Sequence, residues 1–368
     1  MRGEGFRYVV TNIDDVYAYS TSGNDRAVLE GSALADRIFV RSAYSAVTSS
    51  ATSRYVFGFS NLEVDATQGG HDQVTVFDSK FDDQLRIGAG SLHFENVSFK
   101  ASVIGVRNVL AQGGTGGNDH VVLEGTTGSD VFYARPSDTS LSGSGYRLTT
   151  RNFAQVTAES GGGYDRAYLF DSRGDDRFEV DGNGARLIGE EFSNEARGFS
   201  SVYAIARSGG NDQAAFQGTA ANETFYANNR FAYMRQNGAM NLAYGFSYVT
   251  ANGGGGYDTA LLNGTAGNDR AEVSADSVKL SGSGYKLNAE AFSNVRVDGR
   301  GGADEVVFFE LGDREPSRRG AALEADYDGQ NVQLIQFLYY QVQSQLNLDG
   351  DQESNAADHV FDSLSTDS

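Results

Sequence analysis

The 368-residue chain has no cysteine, no tryptophan and only two prolines. Without cysteine, disulfides and thiolate zinc sites are excluded. No stretch reaches the roughly 18 apolar residues of a membrane-spanning helix, so membrane insertion is not expected. The opening MRGEGFRYVV lacks the apolar core of a secretory signal. Export by another route, or a place within a longer polypeptide, is therefore the expectation. Basic residues are few, 29 Lys and Arg against 49 Asp and Glu, for a formal net charge of −20. Nucleic acid is not an expected partner, because phosphate binding needs a cationic footprint. Common catalytic signatures are also missing. The four glycines at 253–256 are not followed by the Gly-Lys-Ser/Thr of a phosphate loop. The Ser of GSGYRL and GSGYKL recurs as a turn rather than as a nucleophile elbow. His71, His93, His120 and His359 have no metal-ligand spacing.

What the chain has in quantity is glycine (46), phenylalanine (23) and tyrosine (19), a composition of short strands joined by tight turns. It also has a repeat. An Asp following a Gly-rich turn recurs at Asp25, Asp72, Asp119, Asp165, Asp212, Asp258 and Asp304, at intervals of 46 or 47 residues. A second acidic series lies eleven residues later at Asp36, Asp83, Asp130, Asp176, Glu223 and Asp269. An apolar series, Phe59, Val106, Phe153, Phe199, Phe246 and Phe292, keeps the same register, followed three residues on by Leu62, Val109, Val156, Val202, Val249 and Val295. Alternation within each copy has the strand period of two. In DDRFEV, for example, Phe178 and Val180 should face one way, Arg177 and Glu179 the other.

About four strands fit each copy. The expected fold is all-β, a parallel β-solenoid (β-helix) built from 46–47-residue repeats of two coils each. The alternative is a propeller of about seven four-stranded blades. The solenoid is preferred because Gly and Asp/Asn corners recur at strand ends and because an open stack needs the atypical C-terminal cap seen here. Residues 1–22 read as a partial N-terminal repeat ending in TNIDDVYAYSTSG, and 23–302 as six β repeats. Residues 303–348 read as a degenerate repeat and cap, whose 331–348 segment is a strand pair or cap, and 349–368 as a polar tail with a short helix over 355–364.

The turns GGGGYDTAL (253–261), GTGGNDHVV (114–122), SGGGYDRAY (160–168), GTAGNDRAE (264–272) and GTTGSDVFY (125–133) resemble the calcium-binding repeats-in-toxin family, the hemolysin-type β-roll. The resemblance covers the turns, about a quarter of the chain. It differs in spacing, because the family's nonapeptides run in tandem whereas these acidic turns are eleven residues apart, with about 35 residues before the next pair. The resemblance implies Ca²⁺ as cofactor, held by Asp72, Asp78, Asp82, Asp83, Asp119, Asp130, Asp165, Asp171, Asp175, Asp176, Asp258 and Asp269, and a secreted bacterial protein as context.

Three readings of these carboxylates compete. Asp and Asn cap turns by accepting backbone N–H groups, and that alone explains the period. Calcium wants six to eight oxygens, which acidic loops supply. Catalysis would need a unique constellation that breaks the repeat, and these residues follow it. The RGD at 173–175 matches an adhesion tripeptide but is not shared by other copies. The residues after each Asp, such as Arg26, Gln73 and His120 or Arg37, Gln84 and Val131, should form polar ladders on one outer face. The functional expectation is a non-enzymatic extracellular or cell-surface scaffold, structural or adhesive and calcium-stabilised, with a glycan or protein partner. A carbohydrate-active β-solenoid enzyme (lyase, epimerase or glycosidase) is the alternative.

Overall fold

The computed structural model describes residues 2–3, 6–7, 11–309, 316–319, 322–327, 330–335, 339–343 and 357–360. All secondary structure among them is strand. The chain forms two compact units, Met1–Phe170 with Ile188–Ser200, and Asp171–Leu187 with Ser201–Ser368. Each unit is a β-solenoid of two sheets.

Each copy contributes five strands rather than four. In the first unit, the copy opened by Asp72 runs Gln73–Phe77, Gln84–Gly88, Ser91–Glu95, Lys100–Ile104 and Asn108–Gln112. Its first and fifth strands lie side by side and parallel in one sheet. Its second, third and fourth form an antiparallel meander in the other sheet. The chain changes sheet after the first, fourth and fifth strands, so one copy makes one and a half windings instead of the expected two coils. The hairpin between third and fourth strands is the reason. In the Asp119 copy it is a two-residue turn, Ser144–Gly145, between Asp138–Gly143 and Tyr146–Arg151. Two residues cannot cross the roughly 10 Å between packed sheets, so the strand folds back on its neighbour.

A half-integral winding has a consequence: successive copies swap sheets. The first and fifth strands of the Asp119 copy, His120–Glu124 and Gln155–Glu159, join the sheet that holds the Asp72 copy's meander. The second unit does the same. Gln213–Gln217 pairs in parallel with Tyr248–Asn252 in one sheet, and Thr259–Asn263 with Asn294–Asp298 in the other. Parallel pairing between copies, rather than self-contained blades, excludes the propeller.

The core lies between the sheets. Along Arg177–Asp181, Phe178 and Val180 are buried while Arg177 and Asp181 are exposed and Glu179 is half-buried. The apolar series plugs the corner before each fifth strand: Phe199 packs on Phe132 in the first unit with ring centroids 6.2 Å apart, and Phe292 on Phe225 in the second at 6.0 Å. Burying each such ring contributes about 1.5–3 kcal/mol.

The ends also follow the repeat. Asp15–Tyr19 pairs in parallel with Ser53–Phe57, as a fifth strand should. Beyond Asp304 the glycine signature fades, yet five strands persist: Glu305–Phe309, Ser317–Arg319, Ala322–Tyr327, Gln330–Ile335 and Tyr339–Gln343. Alternation alone suffices there, with Leu323, Ala325, Val332 and Leu334 buried. The expected strand pair over 331–348 thus falls on the fourth and fifth strands of a seventh copy. The helix expected over 355–364 is corrected. Ala357–Val360 is a strand antiparallel to Tyr339–Gln343, and the remainder of that segment lies outside the described residues. A ten-residue helix bears its whole nucleation cost alone, whereas an open strand edge supplies ready backbone partners.

Candidate functional site at the acidic corners

Because the second strand of one copy neighbours the first strand of the next, the two acidic series meet at the same corners. The backbone N–H of Asp36 donates to Asp72 Oδ1 at 2.8 Å, that of Asp83 to Asp119 at 2.8 Å, and that of Asp130 to Asp165 at 2.7 Å. In the second unit the N–H of Asp176 donates to Asp212 at 2.9 Å, that of Glu223 to Asp258 at 2.6 Å, and that of Asp269 to Asp304 at 2.8 Å. Each second-series Asp in turn caps its own turn. Asp130 accepts the N–H of Thr126, Asp176 that of Ser172 and Asp269 that of Thr265, at 2.6, 2.8 and 2.6 Å. Asp83 also accepts Nδ2 of Asn96 at 2.7 Å, and Asp269 the hydroxyl of Tyr285 at 2.7 Å. All of these carboxylates are buried.

The glycines explain why the corners are so tight. The Gly two residues before each first-series Asp has positive φ, and from Gly70 onward it approaches the preceding turn. A Cβ on Gly210 (φ +90°) would lie 2.0 Å from the carbonyl oxygen of Gly174. Gly282, in LSGSGY, leaves room for Asp269, whose Oδ1 would be 2.1 Å from an added Cβ.

The remaining predicted ligands are also engaged. Asp78 accepts the Thr115 N–H at 2.8 Å, and Asp171 accepts those of Arg207 and Ser208 at 2.7 and 2.6 Å. Asp82 accepts the Asn118 N–H at 2.8 Å and Asp175 that of Asn211 at 2.7 Å. Asn222 and Asn268 occupy the equivalent position and accept from Tyr257 and Ala303, both at 2.9 Å. An uncharged amide therefore does the same work. Thus Asp72, Asp78, Asp82, Asp83 and Asp119 gather on the first unit's corners together with Asp130 and Asp165, and Asp171, Asp175, Asp176, Asp258 and Asp269 on the second unit's.

Gathering like charges in a buried place shifts their titration. Burial, with Asp83, Asp78 and Asp82 as like-charged neighbours, pushes Asp119 up to about 6. Asp212 and Asp304 are pushed up to about 6 for the same reason. Burial likewise raises Asp72, Asp176 and Asp258.

The groups aimed at the buried carboxylates are N–H and O–H donors. That suits a capped turn, whereas a calcium ion requires converging oxygens. Among the described residues no group of three or more His, Asp or Glu is arranged to hold a metal ion. A cation at the buried positions would have to displace these donors. Among the twelve candidate ligands, Asp82 and Asp175 are exposed, and each accepts its backbone N–H through Oδ1, which leaves Oδ2 for a cation.

Among the described residues no other constellation forms around the remaining candidates. His71 and His93 are exposed. His120 Nε2 lies 3.1 Å from Thr157 Oγ1, and burial lowers its pKa. The side chain of His359 lies outside the described residues. Arg173, Gly174 and Asp175 form an exposed corner whose Asp is already an acceptor.

The sheet swap corrects the expected polar ladders and uncovers residues the sequence reading missed. Residues after the two Asp series divide between both sheets: Gln84 sits beside His120 in one, Arg37 beside Gln73 in the other. Outward-facing chemistry should then alternate from copy to copy, and it does. The central outward residue of the second strand is Phe39, Arg86, Tyr133, Glu179, Tyr226 and Glu272 in successive copies. Aromatic and charged residues take turns, a doubled period that was legible in the sequence. The chain matches no protein-family model and no curated protein.

Proposed function

We propose that the protein is a non-enzymatic structural or adhesive repeat scaffold that works outside the cell or at its surface. The observation supporting this is that the carboxylates recur with the repeat and are taken up by corner hydrogen bonds. A hydrolase, lyase or epimerase needs instead a pair of carboxylates, or a carboxylate and a base, set apart in one place. Calcium has a limited part in this reading. It would bind at exposed carboxylates such as Asp82 and Asp175, relieve the like-charge crowding around Asp119 and Asp212, and stabilise the folded state by mass action. The test is incubation with neutral and anionic polysaccharides. The reading expects no release of reducing ends and no unsaturated product. Depolymerisation of any of them would overturn it in favour of a carbohydrate-active enzyme.

A further inference from the structure

In the first unit the two sheets present opposite outer chemistries. One carries acidic and basic residues in ion pairs: Arg26 with Glu63, Arg86 with Glu124 and Glu159, Lys100 with Glu95 and Arg197 with Glu195. On the other, across the seven strands from Arg37–Val40 to Arg166–Phe170, the outward carboxylate among the described residues is Asp138 alone. That face instead bears arginines. Following the strand register from Arg37 through Gln73, Asn108, Arg147, Ser142 and Val131 to Arg166 places three exposed arginines in one row. They are three strands apart, about 14 Å at about 4.8 Å per strand, and none has an ion-pair partner among the described residues. A second row at the other strand ends holds Arg151, Arg135 and Arg41, the last with its guanidinium 3.5 Å from the Phe77 ring centroid. Between the rows Tyr133 and Tyr168 stack at 4.9 Å with planes 12° apart.

A chain of net charge −20 whose one outward carboxylate on these seven strands, Asp138, is paired with Arg135, and whose row of Arg37, Arg147 and Arg166 has no ion-pair partner among the described residues, has built a local anion site against its overall charge. We infer that this face binds a linear carboxylated polysaccharide along the row of Arg37, Arg147 and Arg166. Guanidinium groups pair with carboxylates bidentately. The regular spacing across the strands suits an extended chain with recurring charges. Each tyrosine ring covers one face of the other, and exposed Tyr133 presents its hydroxyl edge to sugar hydroxyls. The inference deepens the scaffold reading by naming its partner and rests on it.

The test is affinity of the full chain for linear polygalacturonate at about 50 mM salt, where surface charges are weakly screened, beside a neutral glucan and a single-stranded oligonucleotide. The triple variant R37Q/R147Q/R166Q should lose about tenfold or more in affinity. The triple variant R26Q/R86Q/K100Q, which removes equal charge from the other sheet, should lose less than about twofold. Both must melt within a few degrees of the parent, which separates lost binding from lost folding. Absence of binding by the parent, equal losses in the two variants, or tighter binding of the oligonucleotide would each overturn the inference. Release of reducing ends from the bound polymer would overturn the scaffold reading and leave the binding face standing.

Discussion

Replacing Asp119 by asparagine separates the two roles a buried carboxylate can have at these corners. Asp119 accepts the N–H of Asp83 at 2.8 Å, a bond that an amide oxygen can also accept. Its charge is another matter. Burial and the neighbouring Asp83, Asp78 and Asp82 push its pKa from 3.8 to about 6, so ionisation at neutral pH works against folding. That displacement corresponds to at most about 3 kcal/mol, and solvent screening beside the exposed Asp82 reduces it to on the order of 1–2 kcal/mol. The sign follows from proton linkage. A carboxyl whose folded pKa is raised keeps its proton longer in the folded state, so the penalty is absent below about pH 4 and complete above about pH 6. Asp119→Asn should therefore raise the unfolding midpoint at pH 7 by about 2–4 °C, with the gain fading by about pH 4. Asp119→Ala removes the acceptor as well, which should cost about 1–3 kcal/mol at pH 4; at pH 7 the lost charge penalty offsets about 1–2 kcal/mol of that, so the alanine variant should melt below the asparagine variant at both pH values. Calorimetric or circular-dichroism melts in chelator give the comparison. A lower midpoint for Asp119→Asn at pH 7, or a gain that does not depend on pH, would refute the reasoning.

The parent protein should itself melt higher at pH 5 than at pH 7, because Asp212 and Asp304 are also pushed up to about 6; a flat or opposite dependence in buffers of equal ionic strength would count against buried acidic corners. Phe132→Ala should cost about 3–5 kcal/mol, since the ring is fully buried and packs on Phe199; denaturant titration measures it. Gly210→Ala should destabilise by more than about 1 kcal/mol, because its φ of +90° and the carbonyl 2.0 Å from an added Cβ leave an L-residue no room. Tyr285→Phe should cost about 1–2 kcal/mol, as it removes the hydroxyl donor to buried Asp269; an unchanged midpoint would show that bond to be expendable.

How the sequence carried this information differs from feature to feature. Strand faces were legible because burial enforces alternation residue by residue, as in Arg177–Asp181. The solenoid was legible because Gly and Asp corners recur with the period. The winding was not, because it turns on whether Ser144–Gly145 ends a coil or folds a hairpin, and a turn motif does not state how far its strands must travel. The seventh copy was obscured for the converse reason. Gln330–Ile335 keeps its pairing with Asn294–Asp298 without the glycine signature used to recognise a copy. The corner carboxylates were identified by position, but their partners lie 35 to 37 residues away in the next copy, a contact that spacing alone does not reveal. The outward faces were misassigned for one reason only, the half-integral winding. Once it is known, Phe39, Arg86, Tyr133 and Glu179 fall into an alternating order.

The recurring carboxylates are hydrogen-bonded corners of the fold before they are anything else. Far-ultraviolet circular dichroism of the full chain in excess chelator, followed by melting with and without about millimolar calcium, tests this directly. Corners held by hydrogen bonds should give a β spectrum and a cooperative melt in chelator, with calcium raising the midpoint by no more than a few degrees. A chain that is unfolded in chelator and folds only when calcium is added would contradict it.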